Sequence, residues 1–489
     1  MPLLMEPIVE FYIYVVRLSK RGRAALGLKY CGLHRLGQAW LAWPGGGFGE
    51  RALCYNICHR RPPTQKLRHT TDPLQAVLTS LDSGSLSLME ALRRRAESQS
   101  LAVYLVGGPV RDALLGIPIK DLDLLVEGDA PALAAQLAEE LAGSLLVHPQ
   151  FGTATVTLGG SRLDLVTARK EIYLRPGALP TVSPGTIDDD LARRDFTINA
   201  LALSLSEPNP SIRDPHDGIG DIGQGLVRAL HRRSFADDPT RILRAVRYEQ
   251  RLGFGIEDET LSLAQEALAQ RHLDSVSGDR VRHELDRMLD EERPMPPLRR
   301  AMELGILAAI HPALANIEGF DRLETSGALE DSVCPLVCLA ALVYPLSPRE
   351  GEGIIGRLNL PGAWAEVVRD TIALRGLERE LSAPELSSSK LAGLVQGFSS
   401  TAVLAVSRVT LSPVAGRSLK QYLDELQHVA PELKGGDLLA LGVPSGPLVG
   451  RILGQLREAK LDRRVATIAQ EKRMVKELLA QLGGDPGRG

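Results

Sequence analysis

The sequence predicts a mixed α+β head followed by an all-helical remainder. Three observations carry this. Strand-like alternation of apolar and polar residues is confined to roughly residues 101–167. Glycine pairs at 107–108 and 159–160 punctuate that stretch where a turn is needed. Beyond residue 225 the alternation gives way to helical spacing. With 489 residues the chain has room for about three domains. Its 44% apolar and 24% charged residues exclude a mainly disordered, collagenous or disulfide-scaffold chain. No run approaches ~18 uninterrupted apolar residues, so no membrane span is expected.

Residues 1–71 hold 11 Lys/Arg and 3 Asp/Glu, whereas the rest of the chain holds 46 and 57. An acidic body does not attract nucleic acid by its global field, so RNA contact must come from local basic stripes. Residues 1–60 carry 8 of the chain's 20 aromatics, Trp40 and Trp43 among them, with no sustained period. The apolar patch 11–16 is too short for a signal core, and Glu6 and Glu10 stand where a signal carries positive charge. Residues 1–75 are therefore set apart as an extension. It reads as a basic arm, a targeting presequence, or translation upstream of a true start at Met89 or nearer residue 70; the last is the expectation. Five cysteines are too few for a disulfide framework and fit a reducing, cytoplasmic compartment. Cys54, Cys58 and His59 lack an evident fourth zinc ligand. Cys334 and Cys338, four apart in an apolar run, are expected to face a core together.

Residues 85–97 have helical spacing and a basic end at Arg93-Arg94-Arg95. Residues 101–106 form a compact apolar run that stops at Gly107-Gly108, and Pro109 suits a helix start. In a strand–glycine turn–helix unit, backbone N–H groups approach a phosphate closely and the helix dipole adds to the attraction. Arg111, one turn on, is within reach of the same anion. A glycine pair alone is more often an ordinary turn; the next strand, 121–126, shifts the balance. Asp121 and Asp123 share one face, about 7 Å apart along the chain, while Leu122 and Leu124 face the core. Neighbouring acids make sense if a divalent cation neutralises them, and magnesium suits such hard oxygen donors. A solvent-facing edge strand is the alternative. Residues 152–158 and 161–167 alternate about the second glycine pair, placing Arg162, Asp164 and Val166 on one face. Asp164 is thus a candidate third catalytic carboxylate or a structural acceptor. Residues 169–191 contain Pro176, Gly177, Pro180, Pro184 and Gly185 and end in three aspartates, which reads as a mobile loop and not as packed structure.

Helical spacing with polar faces covers 240–252, 257–271, 278–290, 297–304, 363–377 and 452–460. Residues 451–477 carry 8 Lys/Arg against 4 Asp/Glu, a candidate grip on an RNA backbone or else a solvated face. His148, His216, His231 and His311 are scattered, with no paired His/Asp phosphohydrolase motif. The resulting division is an extension (1–75), a head (85–225), a neck (226–300) and a body with tail (301–489).

Four motifs occur in one order: Gly107-Gly-Pro-Val-Arg-Asp112, Asp121-Leu-Asp123, Arg193-Arg-Asp-Phe-Thr-Ile-Asn-Ala200 and Asp237-Asp-Pro-Thr-Arg-Ile-Leu-Arg-Ala-Val-Arg-Tyr248. The series resembles the class II tRNA nucleotidyltransferase (CCA-adding enzyme) and bacterial poly(A) polymerase family. Resemblance is strongest over 101–255, and 435–450 is similar to the family's tail region. It implies a polymerase-β-like nucleotidyltransferase head followed by an all-helical neck, body and tail. It further implies that Asp121 and Asp123 hold Mg2+ and that the Gly107-Gly108 turn and Arg111 contact the incoming triphosphate. Arg194 would bind the nucleotide, while Asp195 and Asn199 fix the sugar or the strand geometry. Base selection would fall to Asp238 and Arg241, with Arg244 and Arg247 nearby on the same helix. Arginine donors and aspartate acceptors can imitate the edge of a complementary base. Spacings of three keep 238, 241 and 244 near one helical face, drifting about 60° per step; a salt-bridged surface helix is the plainer reading of that segment alone. The family often has Glu where this chain has Asp237. In the family, a loop at 169–191 helps switch between cytidine and adenosine addition and is shortened in CC-only members. Its length here speaks against CC-only addition, and its wording leaves A-only addition open.

The expected activity is template-independent addition of CCA, or part of it, to the tRNA 3′ end from CTP and ATP, releasing pyrophosphate. A-only addition and poly(A) synthesis are the enzymatic alternatives. A non-catalytic RNA-binding protein is the alternative of another class. No membrane partner is expected, and the sequence does not set the oligomeric state.

Overall fold

The computed structural model describes residues 73–483, apart from 120–121, 150–151, 208–209, 316–318, 320–321 and 324–333. The expectations for residues 1–72, including the zinc reading, lie outside the described residues. Helices α1 (Pro73–Leu78) and α2 (Ser83–Ser98) come first. Asp82 caps α2 by accepting the Gly84 and Ser85 amides at 2.9 Å, and the same oxygen takes the Ser161 hydroxyl at 2.8 Å. Leu74 and Val77 join the core with Leu88 and Met89, so the fold reaches back before Met89.

The head continues through β1 (Ala102–Val106), α3 (Gly108–Leu115), β2 (Asp123–Glu127), α4 (Ala130–Leu141), β3 (Ser144–His148), β4 (Thr153–Leu158) and β5 (Ser161–Thr167). After β6 (Arg169–Ile172), β7 (Thr181–Pro184) and α5 (Ile187–Ala192) it ends with β8 (Ala202–Ser204) and β9 (Ile212–Arg213). Seven strands form one sheet in the order β3-β4-β5-β2-β1-β8-β9. Only β2 and β5 run parallel; the other neighbours are antiparallel. Val103 and Leu105 of β1 enter the large core on the α2/α4 side, whereas Tyr104 and Val106 pack on the opposite face with Ile187 and Leu191 of α5. Cover on both faces explains why this strand reads as an unbroken apolar run.

The mobile-loop expectation for 169–191 is corrected. Arg169–Ile172 and Thr181–Pro184 form an antiparallel hairpin of four register pairs. Pro176, Gly177 and Pro180 sit in its connection and Pro184 ends its second strand, where no interior ladder bond is lost. The aspartate run opens α5, closed by a Thr186–Asp189 capping box, where acids complement the helix dipole.

The head's last helix is α6 (Gly218–Gln224); the segment expected as the neck holds β10 (Leu226–Val227), α7 (Ser234–Asp237), α8 (Arg241–Leu252), β11 (Gly255–Ile256), α9 (Asp258–Ala269), α10 (Gly278–Leu289) and the start of α11 (Met295–Glu303), and α12 (Ile306–Ile310) follows. The body runs from α13 (Pro335–Val343) through α14 (Pro348–Leu358), α15 (Gly362–Gly376), α16 (Glu378–Leu381), α17 (Ser388–Val395) and α18 (Ser400–Val409) to α19 (Pro413–Asp424). The tail helices α20 (Gly435–Ala440), α21 (Pro447–Leu461) and α22 (Ile468–Gly483) close over their own small core of Leu433, Leu438, Val443, Ile452, Leu456 and Val475. Cys338 is buried but Cys334 is exposed, correcting the expectation of a shared face. Cys334 precedes α13 in extended backbone, so helical spacing does not relate the two. No described helix is long and apolar enough to cross a membrane.

Candidate active site

At the C-terminal end of β1 the chain enters Gly107 with φ +76°, a region that disfavours side chains. A Cβ there would also lie 2.5 Å from Arg194 Nη1. The turn is held by Gly107 N donating to Leu201 O at 2.9 Å. Gly108 opens α3, whose start has no side-chain cap and carries Pro109 in its first turn. Its first-turn amides thus form the kind of N-terminus that receives an anion.

The register Leu105↔Leu124 sets Asp123 at the same end of the sheet as this turn. Asp123 is exposed at the start of β2 and is paired in register with Asp164 of the parallel strand β5. Neighbouring strands lie about 4.8 Å apart, so the two acids stand abreast. Asp164 accepts from Thr155 Oγ1 and from Arg162 Nε at 3.0 Å. Arg162 is itself 64% exposed. Asp121 lies outside the described residues. Carboxylate oxygens are the donor set a hard divalent cation prefers. Among the described residues no group of three or more His, Cys, Asp and Glu gathers to hold a metal.

Behind the turn lies a buried chain of charges. Arg111 is 2% exposed. Its Nε and Nη2 donate to Asp112 Oδ1 at 2.9 and 2.7 Å, and its Nη1 donates to Asn199 Oδ1. Three of the five N–H donors of Arg111 are thus spent on residues that shape the turn. Asn199 Nδ2 donates to Asp195 Oδ1 at 3.0 Å, and Arg244 Nε donates to Asp195 Oδ2 at 2.7 Å. Arg244 Nη1 then reaches Glu284 of α10 at 3.2 Å. Burial pushes the Asp195 carboxyl up, but Arg244, Asn199 and Arg241 outweigh it and hold it at about 2. Asp195 and Asn199 are thus bonded to each other and to the flanking Arg244 and Arg111. Arg194 donates to Asp190 Oδ2 at 3.0 Å and to Asn199 O at 3.3 Å, roofing Gly107. Arg193 shares the buried Asp190 and reaches Glu171 of β6 at 3.0 Å.

The residues expected to select the base are arranged otherwise than their spacing suggests. Asp238 ends α7 in extended backbone and precedes α8, so only Arg241, Arg244 and Arg247 lie on the helix. Asp238 Oδ1 accepts from Thr240 N at 3.0 Å and Arg280 Nη2 at 2.8 Å. Arg241 is buried and donates to Ser234 Oγ at 2.8 Å and Arg193 O at 2.6 Å. Arg244 and Arg247 face Tyr248, their guanidinium carbons 5.6 and 4.8 Å from its ring centre, with Arg111 at 5.2 Å. Glu284 and Glu291 offset this positive charge. Arg244 and Arg247 thus tie α8 to α10 and to the segment that follows it.

Sequence reasoning assigned no role to Glu171, Asp190, Tyr248, Arg280 or Glu284. Their signal was faint: Tyr248 closes the last motif, and Arg280 and Glu284 stand four apart on one charged helix.

Residues 103–228 match the family described as the poly A polymerase head domain, and 253–318 the probable RNA and SrmB-binding site of polymerase A. The chain is 33% identical over 417 residues to an A-adding tRNA nucleotidyltransferase of Geobacter sulfurreducens, covering 81% of this chain and 47% of that protein. It is 33% identical over 401 residues to a CC-adding tRNA nucleotidyltransferase of Deinococcus radiodurans, covering 82% and 94%. A solved Thermotoga maritima CCA-adding enzyme complexed with tRNA is similar at a TM-score of 0.64 and 30% identity, over 83% of this chain and 98% of that one. The chain belongs to the tRNA nucleotidyltransferase family. It spans about half the length of the first curated relatives it matches, 47% and 58% for those of Geobacter sulfurreducens and Halalkalibacterium halodurans.

Proposed function

We propose that this protein extends the 3′ end of tRNA without a template, adding CCA or part of it from CTP and ATP. The observation that carries this is the placing of Asp123 and Asp164 abreast, at the end of the sheet where the Gly107-Gly108 turn opens α3. The 3′-hydroxyl oxygen forms a bond to the α-phosphorus, the α–β bridging bond breaks, and pyrophosphate leaves. Asp121 and Asp123, with Asp164 alongside, would hold Mg2+, which when bound neutralises triphosphate charge and acidifies the attacking hydroxyl. The amides at the start of α3 orient the phosphates, and the partly exposed Arg194 faces them from above Gly107. Asp238 accepts from the base, while Arg241 fixes the backbone of Arg193 and so the position of Arg194. Catalysis by such a site rests on positioning and electrostatics. In the tail, Arg451, Arg463, Lys472, Arg473 and Lys476 are exposed and suit the RNA backbone. Arg457 and Lys460 are instead tied to Val429 O and to Glu432 and Glu471.

The test is incubation with three tRNAs lacking CCA, CA or A, each nucleoside triphosphate supplied separately and then CTP and ATP together. Addition that stops once CCA is complete supports the reading. Addition only of ATP to the tRNA lacking A narrows it to A-only activity, the activity named for the Geobacter sulfurreducens relative. An open-ended ladder would show poly(A) synthesis instead, and no incorporation would leave a non-catalytic RNA-binding protein.

A further inference from the structure

One row of side chains crosses the sheet beside the glycine turn. Register pairs Leu146 of β3 with Thr155 of β4, Thr155 with Asp164 of β5, and Asp164 with Asp123 of β2. Residues paired in register share a face, so this row stands on one side of the sheet. Leu146 is 56% exposed, which leaves the row open to solvent at the sheet edge. Arg162, two residues before Asp164 on β5, projects from the same face. Its planar fork closes on the carboxylate. Nε donates to Asp164 Oδ1 at 3.0 Å, and Nη2 lies 3.0 Å from Oδ2. Among the described residues Arg162 forms its ion pair with Asp164 alone. Thr155 Oγ1 also donates to Oδ1. These two partners differ in kind. Thr155 is half-buried and sits directly opposite Asp164, so its bond comes with the strand ladder. Arg162 is 64% exposed at the end of a long side chain. An ion pair that wet is weak, biasing an equilibrium at most about fivefold. Departure of Arg162 would free Oδ2 and leave Oδ1 anchored by Thr155.

We infer that Arg162 is a resident counter-ion, holding Asp164 until a divalent cation displaces it, and that Thr155 is the positioning residue that keeps the carboxylate aimed through the exchange. The inference rests on the reading of Asp164 as a metal carboxylate given above. Two acids abreast repel one another unless positive charge lies beside them. In the nucleotide-free protein the guanidinium supplies that charge, so Asp123 and Asp164 can stand together before metal arrives. A doubly charged ion brings more charge to the same oxygens, and a weak, exposed pair yields to it. The Thr155 hydroxyl is neutral and does not compete for the charge. Arg162 therefore sets how much divalent cation the site needs, and Thr155 sets whether Asp164 is ready to receive it.

The experiment titrates Mn2+, which takes the same hard oxygen donors as magnesium and carries an electron-spin signal, into the nucleotide-free protein at low and at high salt. Arg162→Met is expected to bind Mn2+ about fivefold more tightly at low salt, the competitor being gone, and the gain shrinks at high salt. Arg162→Lys keeps the charge but not the fork, so its gain is smaller. Arg94→Met removes an arginine that is 65% exposed and pairs with Glu140 of α4. It serves as the control for lost charge and leaves the affinity unchanged. Thr155→Val suits a strand and is expected to weaken Mn2+ binding roughly tenfold, the scale for a residue that orients a ligating group. Thr155→Ser keeps the hydroxyl and restores the affinity. In an Asp164→Asn background, Arg162→Met has no further effect. An Arg162→Met protein that melts as wild type and binds Mn2+ no more tightly overturns the inference. So does a folded Thr155→Val protein with wild-type affinity, or an Arg94→Met protein that gains as much as Arg162→Met. Absence of Mn2+ binding by the wild type would instead remove the metal reading beneath it.

Discussion

At the edge of β2 and β5, Asp123 is exposed and Asp164 leans on Thr155 and on an Arg162 that is mostly in solvent. Across the glycine turn, Asp195 is buried and gripped by Arg244 and Asn199, and Arg111, Glu284 and Tyr248 extend the same network. The first region keeps its acids near water, where they can meet ions and phosphate. The second consumes its charges in holding head to neck. Motif residues of similar character thus do different work. Substitution in the first should appear in turnover and barely in stability, and substitution in the second should appear in stability first.

The sharpest way to break this contrast is Asp123→Asn. Incorporation is expected to fall on the order of 10³-fold, as for loss of a principal electrostatic group, while urea unfolding shifts by no more than about 1 kcal/mol. Substantial unfolding would move Asp123 into the structural class. Next in size is Asp195→Ala, which removes the buried partner of Arg244 and Asn199 and leaves Arg244 with Glu284 alone among its acids. It should cost about 3–5 kcal/mol in urea unfolding, and a cost below about 1 kcal/mol would erase the distinction.

Acid sharpens the same point. Asp195 is held at about 2 against an ordinary 3.8, so its folded value is depressed. Its contribution is complete above the unfolded value and is lost as pH falls through the folded one. Unfolding monitored from pH 5 downward should therefore show stability falling between about 4 and about 2, and the Asp195→Asn protein should lose less across that window. The smallest effect belongs to the tail. Lys472→Ala with Arg473→Ala should weaken tRNA binding modestly and flatten its salt dependence by roughly 1 for each phosphate no longer neutralised. An unchanged slope would assign those side chains to solvent.

Much of the head was legible because local signals agreed with the fold. Val103–Val106 ran apolar, Gly107 could turn at positive φ, and Pro109 suited a first helical turn. The hairpin was misread because its prolines and glycines sit in the connection and at a strand end, while its strands are short and largely exposed. Periodicity also could not show that Asp238 stops short of α8, since a spacing of three looks the same just outside a helix as within it. The partners of the arginines were hidden for another reason. Arg244 meets Asp195 and Glu284 from 49 and 40 residues away, and only the packed fold brings such separations together.

The central claim concerns the acids beside the glycine turn, and a crystal soaked with CTP or ATP and magnesium tests it most directly. The account predicts the triphosphate at the Gly107-Gly108 turn, with the carboxylates of Asp121 and Asp123 on ions that bridge to its phosphates. Nucleotide bound elsewhere, or those two side chains turned away from it and bare of metal, would contradict it.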